Sequence, residues 1–249
     1  MTRNWMLAAA AVVALGATTA MAAIPANIAA ALADKGRPAE DVAKDPVRKP
    51  GETVALLEVK PGAKVVDLVM GGGYFTHILS AAVGPNGKVV AYQPAEFIQF
   101  QASYGENLKK VAAAHPNVTP IDLSFGALDL PDGLDAVLTV QNYHDMHLTP
   151  FPKDTAAKVN AEIFKSLKPG GVYLVVDHVG APGSGLEAAM KVHRIEPSIV
   201  KAEVEAAGFK LESESPILRN TTDSHTANVF DPSVRGKTDQ FVMKFRKPK

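Results

Sequence analysis

The sequence predicts a doubly wound α/β domain on a mostly parallel sheet that closes with a C-terminal antiparallel hairpin. Three observations predict it. Apolar runs of strand length alternate with helical patterns from residue 60 to residue 207, the pattern of a parallel sheet covered by helices on both faces. Three consecutive glycines, Gly71, Gly72 and Gly73, sit between the first of these runs and the helical pattern after it. The last two apolar runs have no helix between them, so they are expected to pair antiparallel.

Ahead of the domain, residues 1–22 read as an export signal. Arg3 supplies the positive charge, residues 7–15 are apolar, and Ala20-Met21-Ala22 has the small-x-small form that a signal peptidase cuts after. The apolar run falls short of the ~20 residues that a membrane helix needs. Cleavage before Ala23 is therefore expected, giving a periplasmic or secreted protein with no stable membrane anchor. The chain has no cysteine, which excludes a disulfide framework, thiol chemistry and an N-terminal lipid anchor. Cleavage leaves about 225 residues, enough for one large α/β domain. Lys+Arg and Asp+Glu are equal at 26 each, so no uniform basic field is available to gather nucleic acid or an anionic membrane. The expected partner is a small molecule.

Residues 23–59 form a helical lead-in. A short helix is expected over residues 24–34, followed by a polar stretch punctuated by Pro38, Pro46 and Pro50 and a helix from 52 into 57. The α/β domain occupies residues 60–249. Its expected elements are a strand at 65–69, a helix at 74–83, a strand at 88–92, helix over most of 95–114 and a strand at 118–123. A strand at 135–140, a helix at 155–167 and a strand at 172–177 follow. The helical pattern over 187–207 is broken near Pro197, because proline cannot donate within a helix. The hairpin strands are 209–215 and 240–246, separated by a long excursion over 217–239.

Sheets of this kind bind ligands outside the carboxyl ends of their strands, where the winding reverses. The glycines stand at such a position. Glycine takes positive φ and keeps no side chain between backbone and ligand, and the following helix directs free N–H groups at whatever is bound. After the fourth strand the chain reads Gln141-Asn142-Tyr143-His144-Asp145-Met146-His147, and Asp177-His178 follow the fifth. His193, Arg194 and Glu196 precede Pro197, while Asp223-Ser224-His225 and Arg235 lie in the excursion. Loops that long inside a compact domain are commonly functional. Folded over the site, Arg194 and Arg235 could grip an acidic substrate group.

These residues together resemble the class I S-adenosylmethionine-dependent methyltransferases. Val65 through the glycines resembles their first motif, with Asp67 at its acidic position. Leu167-Lys168-Pro169-Gly170-Gly171 resembles the turn before their fifth strand, and the hairpin fits their Rossmann-like seven-stranded sheet. More narrowly, the export signal, Arg48-Lys49-Pro50, the Gly71-Gly72-Gly73-Tyr74-Phe75-Thr76 run and Asn142-x-His144 resemble a family of secreted methyltransferases. The resemblance implies S-adenosylmethionine as cofactor, held by Asp67, Gly71, Gly72, Gly73, Tyr74, Gln93 and Asn142. Three positions depart from the pattern. Val69 replaces the first glycine, Gln93 stands where an acid accepts the ribose hydroxyls with Glu96 close by, and Phe125-Gly126-Ala127 lacks the acid that receives the adenine amino group.

Methyl transfer from a sulfonium is an in-line displacement whose oxygen or nitrogen nucleophile must lose a proton. On this reading His144 is the base and Asp145 its orienter or a substrate contact. Tyr143, Asp177, His178, His193, Arg194 and Arg235 are the substrate residues, and no resident metal is expected. Two other readings remain open. One is an exported, non-catalytic small-ligand-binding protein on the same fold, since fold does not fix function. The other is a metal-dependent enzyme using His144, Asp145, Asp177, His178 and His193, because imidazole and carboxylate suffice as ligands.

Overall fold

The computed structural model describes residues 23–249, so the expected signal segment lies outside the described residues. Four short helices lead in: α1 (Ala26–Leu32), α2 (Ala39–Val42), α3 (Asp45–Arg48) and α4 (Pro50–Ala55). The α/β alternation then runs β1 (Lys64–Leu68), α5 (Tyr74–Val83), β2 (Lys88–Tyr92), α6 (Ala95–Phe100), α7 (Ser103–Ala114), β3 (Val118–Ile121) and β4 (Leu134–Val140). It continues with α8 (Thr155–Ser166), β5 (Leu167–His178), α9 (Glu187–Val192), α10 (Pro197–Ala206), β6 (Lys210–Ser215) and β7 (Gln240–Arg246). Among the described residues no helix is long and apolar enough to cross a membrane.

The seven strands lie in the order β3-β2-β1-β4-β5-β7-β6. Strands β1 to β5 are mutually parallel, and β7 runs antiparallel between β5 and β6. The chain winds outward from β1 through β2 to β3, then returns to place β4 on the other side of β1. The winding therefore reverses between β1 and β4, and the crevice at their carboxyl ends is the expected binding edge.

Side-chain parity divides the core into two layers. On β5, Val172, Leu174 and Val176 join the layer that holds Ile28, Ile78 and Leu79. Tyr173 and Val175 join the opposite layer with Val159, Ile163 and Phe209. The same alternation aims Asp177 and His178, adjacent at the end of that strand, to opposite faces. The lead-in contributes Ile28, Ala31 and Val54 to the first layer, which fixes α3 and α4 beside the carboxyl edge of the sheet.

Differences from the expected boundaries are local. The lead-in forms three short helical pieces between residues 39 and 55, because each of Pro38, Pro46 and Pro50 falls at a helix start where a missing N–H costs nothing. The pattern over 95–114 divides into α6 and α7. The fifth strand begins earlier than expected, at Leu167, whose partner on β4 is Leu134. The excursion after β6 has no regular element. It is tied down by a buried ion pair in which Arg194 donates to both oxygens of Asp223, at 2.8 and 3.1 Å. Asp239 holds it further, accepting from Arg219 Nε, the Asn220 N–H and His225 Nε2 at 2.7 to 2.9 Å.

Candidate active site

The glycine bend begins two residues before its first glycine. Val69 turns into the left-handed region at φ 63°, followed by Gly71 at 58° and Gly73 at 90°. A β-branched residue is rare there, and Val69 is held by burial in the second core layer. The three glycines differ in what requires them. A Cβ at Gly71 or Gly72 would meet nothing within 4 Å, so their backbone borders open space. A Cβ at Gly73 would lie 2.6 Å from Val111, so that glycine serves the packing of α5 on α7. Asp67, on β1 beneath the bend, accepts from Thr76 Oγ1 at 2.6 Å. Burial pushes its carboxyl up to about 6, against the pull of that hydrogen bond and of Arg48.

At the other end of the crevice a 3₁₀ turn, His144–His147, follows β4. The His144 backbone N–H donates to Asp177 Oδ2 at 2.8 Å, and its Nδ1–H faces both Asp177 oxygens at 2.9 and 3.0 Å. Its Nε2 lies 3.2 Å from Asp145 Oδ1. Asn142 Nδ2 donates to the second Asp145 oxygen at 2.9 Å. Burial alone would drain the His144 charge, but Asp177 and Asp145 outweigh it and push the imidazole up to about 9. Burial likewise raises Asp145, opposes ionisation of Asp177 less than His144 favours it, and lowers His178 to about 4. His193 caps α9 at φ 55°, with its ring 5.4 Å from that of His144. Burial and the His144 charge lower its pKa.

One cavity of about 760 Å³ joins the two ends, running from Asp67, Gly71 and Gly72 to His144, Asp145 and His193. Phe97, Phe100, Phe151 and Phe230 form its apolar wall. A second cavity of about 590 Å³ shares Arg48, Phe75, His178 and Phe230 with the first. Lys44, Arg48, Arg235 and Lys237 line it, without a carboxylate. Arg48 stacks 4.1 Å over the Tyr74 ring and makes no ion pair among the described residues.

The fold brings Asp67, Gly71, Gly72, Tyr74, Asn142, His144, Asp145, His178 and His193 to the first cavity and Arg235 to the second. Several expected roles change. Gln93 stands at the end of β2, but it is fully buried and its Oε1 accepts from the Gly71 N–H at 2.9 Å, so it holds the bend from behind. A shorter, charged acid at 93 would break that bond inside the core. The Tyr74 hydroxyl donates to Asp45 at 2.6 Å, which leaves the ring face for Arg48. Tyr143 points the opposite way, its hydroxyl between Glu203 and Asn160 in the second core layer. Arg194 is fully buried, its guanidinium used by Asp223, the Val179 carbonyl and the Ala227 carbonyl. Asp177, with no exposed surface, orients His144 and cannot reach a substrate. The same contacts count against His144 as the expected base: both its ring nitrogens face carboxylates, and Asp177 and Asp145 push its pKa up, which favours the protonated ring.

Two residues gain weight from the structure. Arg48 has its sequence signal only in the Arg-Lys-Pro run, and nothing local places it on Tyr74. Glu96 reaches the cavity wall, where its carboxylate accepts from the Phe125 N–H at 3.2 and 3.3 Å.

The model of the protein-L-isoaspartate(D-aspartate) O-methyltransferase family matches residues 48–209, well over half of the 249-residue chain. The chain belongs to that family. That membership puts it in the class I S-adenosylmethionine-dependent methyltransferase superfamily. Demethylmenaquinone methyltransferases of Bacillus cereus and Bacillus anthracis are 31% identical over 97 residues, which cover 32% of this chain and 40% of theirs. The chain thus spans two fifths of the length of the curated relatives it matches. Similar solved structures include an S-adenosylmethionine-dependent methyltransferase from Aquifex aeolicus, with TM-score 0.56, 19% identity and coverage of 82% of this chain and 98% of that one. The [4+2]-cyclase SpnF has TM-score 0.55 and 17% identity, covering 86% and 84%. A possible exported protein from Bordetella parapertussis has TM-score 0.51 and 16% identity, covering 83% and 67%. At these identities the structures share the fold. S-Adenosylmethionine fits the residues present: the open backbone at Gly71 and Gly72 leaves room for a ligand against the bend, and the Asp67 carboxylate suits a cationic one.

Proposed function

We propose that this methyltransferase acts on an oxygen nucleophile of a small molecule that also carries an anionic group. One observation carries the reading: the cavity at the glycine bend shares a wall with a second cavity lined by Lys44, Arg48, Arg235 and Lys237. A volume of about 760 Å³ lies within the ~300–1,000 Å³ range of small-ligand sites. When bound, S-adenosylmethionine supplies an electrophilic methyl group on a cationic sulfur. Gly71 and Gly72 leave the bend open to the ligand, and Asp67 favours its positive charge. Arg48, fixed on Tyr74 and facing both cavities, grips the anionic group of the acceptor. The phenylalanine wall excludes water. The His144 imidazolium, locked by Asp177, presents positive charge where the acceptor oxygen loses its proton and lowers that oxygen's pKa.

The export signal, the cleavage before Ala23 and the periplasmic or secreted location belong to the same proposal, supported by the sequence of residues 1–22 and by likeness to a possible exported protein. The family description favours a second reading, in which the acceptor is the carboxylate of a protein-bound isoaspartate. The basic cavity would receive that anion too. Methyl-labelled S-adenosylmethionine offered with a panel of small hydroxy acids and with an isoaspartyl peptide separates the two. Transfer to a small acid, with KM raised in Arg48→Ala at unchanged cofactor affinity, is the expected result. Labelling of the peptide alone would replace the first reading by the second. N-terminal sequencing of the exported chain should begin at Ala23, and a chain that retains Met1 would refute export by cleavage.

A further inference from the structure

Among the described residues, His144, Asp145 and His193 form a cluster in which one ligand atom from each lies within 4.8 Å of the others. All three line the first cavity, at the wall opposite the glycine bend. We propose that they bind a divalent first-row transition-metal ion, with the ion's open positions turned toward the acceptor.

The surroundings of each side chain are those of a metal ligand. Asp177 accepts from the His144 backbone N–H and from its Nδ1–H, which fixes the ring and leaves Nε2 directed at the cavity. A buried carboxylate behind a histidine is the usual support for a metal-bound imidazole. Asn142 occupies one oxygen of Asp145, so the other oxygen is the one that faces His144 Nε2 at 3.2 Å. His193 is held at φ 55° at the end of α9, against the Phe230 ring. Three ligands from two separate elements thus converge, each held by a neighbouring side chain. Two carboxylates around one imidazole leave local negative charge that a cation neutralises. Two imidazoles and a carboxylate suit zinc, manganese, iron or cobalt in preference to magnesium or calcium, which take oxygen ligands.

Bound to Nε2, such an ion would take the place of the proton between His144 and Asp145 and would supply there the positive charge that the protonated ring supplies in its absence. An acceptor hydroxyl bound to it becomes acidic enough to release its proton to water. The resulting oxyanion forms the O–CH3 bond as the S–CH3 bond breaks, and the sulfonium leaves as the neutral thioether. This use of the ion rests on the reading above, whereas the metal site does not.

The test uses the full chain, stripped with a chelator and titrated with Co²⁺ or Zn²⁺ by calorimetry and by the visible absorption of bound Co²⁺. The expected result is one ion per chain. His193→Asn, whose side chain tolerates the left-handed backbone, should weaken the metal by at least the ~100-fold seen for losing a supporting residue. Asp145→Asn should do the same, and Asp177→Asn should cost ~10- to 100-fold. S-Adenosylmethionine affinity, measured on the same samples without metal, should hold in the His193 variant. Absence of one tight ion per chain, or unchanged affinity in both His193→Asn and Asp145→Asn, overturns the proposal. Failure of the methyltransferase reading would appear instead as lost cofactor binding in the metal-free wild type.

Discussion

The two ends of the crevice are built by different means. At the β1–β2 end the ligand surface is mostly backbone: Gly71 and Gly72 face open space, Gln93 holds them from behind, and Asp67 is the buried charge. At the β4–β5 end the surface is side chain, with Asp145, His178 and His193 buried or half-buried around His144, which Asp177 holds from behind. A backbone surface can recognise a ligand common to many enzymes, because it needs only a bend and small residues. A cluster of coupled charges can change the reactivity of one particular acceptor. The difference predicts that substitutions at the first end act on cofactor affinity and those at the second on turnover.

The largest expected effect tests the second half of that division. His144→Asn removes the charge between Asp145 and Asp177 while keeping a side chain that can bond to Asp177. Turnover should fall ~10²- to 10³-fold, as for the loss of a group that stabilises developing negative charge. Affinity for S-adenosylmethionine, followed by calorimetry, should stay within about 2-fold, well under the ~1.4 kcal/mol of a tenfold change. Full turnover in the variant would break the comparison at its stronger side.

The next effect tests the glycine bend, and Gly72 is the position to use. Gly71 has φ 58°, so a valine there would combine backbone strain of ~1–3 kcal/mol with lost ligand space, and folding and binding would fall together. Gly73→Val would drive into Val111 and damage the fold alone. Gly72 has neither a positive φ nor a neighbour within 4 Å. Gly72→Val should therefore weaken cofactor binding by ~10-fold or more, a loss of at least ~1.4 kcal/mol, with the thermal midpoint unchanged. Equal affinity would mean that the bend is a turn and the cofactor lies elsewhere.

These two ends also differed in how far the sequence revealed them. The glycine bend was readable because its signal is contiguous: Val-rich strand, three glycines, helical pattern. The sheet was readable for the same reason, as with α5 and β2, whose observed bounds coincide with those expected. What escaped notice depends on contacts between distant residues. Asp177 behaves as the partner of His144 only because β4 and β5 are adjacent and parity turns Asp177 toward the 3₁₀ turn. Arg194 looked available and is fully buried, because the excursion returns Asp223 to it from 29 positions away. Gln93 was expected to face a ribose, but the Gly71 N–H needed an acceptor and took it. A charge or amide at a strand end signals that it will find a partner, and the partner is set by the tertiary fold.

The smallest effect is a pH dependence that belongs to the first end alone. Burial raises Asp67 to about 6, well above the 3.8 of an unburied aspartate. Below that value the folded chain holds the carboxyl neutral, and a neutral group cannot attract the sulfonium or ammonium of the cofactor. Affinity should then fall about 10-fold between pH 7 and pH 5, in proportion to the ionised fraction of a group titrating near 6. Stability responds with the opposite sign. Between about 4 and 6 the unfolded chain has lost a proton that the folded chain keeps, so the Asp67 contribution declines as pH rises through that window and stays low above it. His178, lowered to about 4, runs the other way over an overlapping range, so the measurement is the difference between wild type and Asp67→Asn. Asparagine can still accept from Thr76 Oγ1, and it removes the charge. The variant should bind S-adenosylmethionine more weakly at pH 7, lose the pH dependence of binding, and unfold at a higher temperature than wild type at neutral pH. If binding in the variant kept the wild-type pH profile, the charge that selects the cofactor would have to lie at the other end of the crevice, and the division between the two ends would fail.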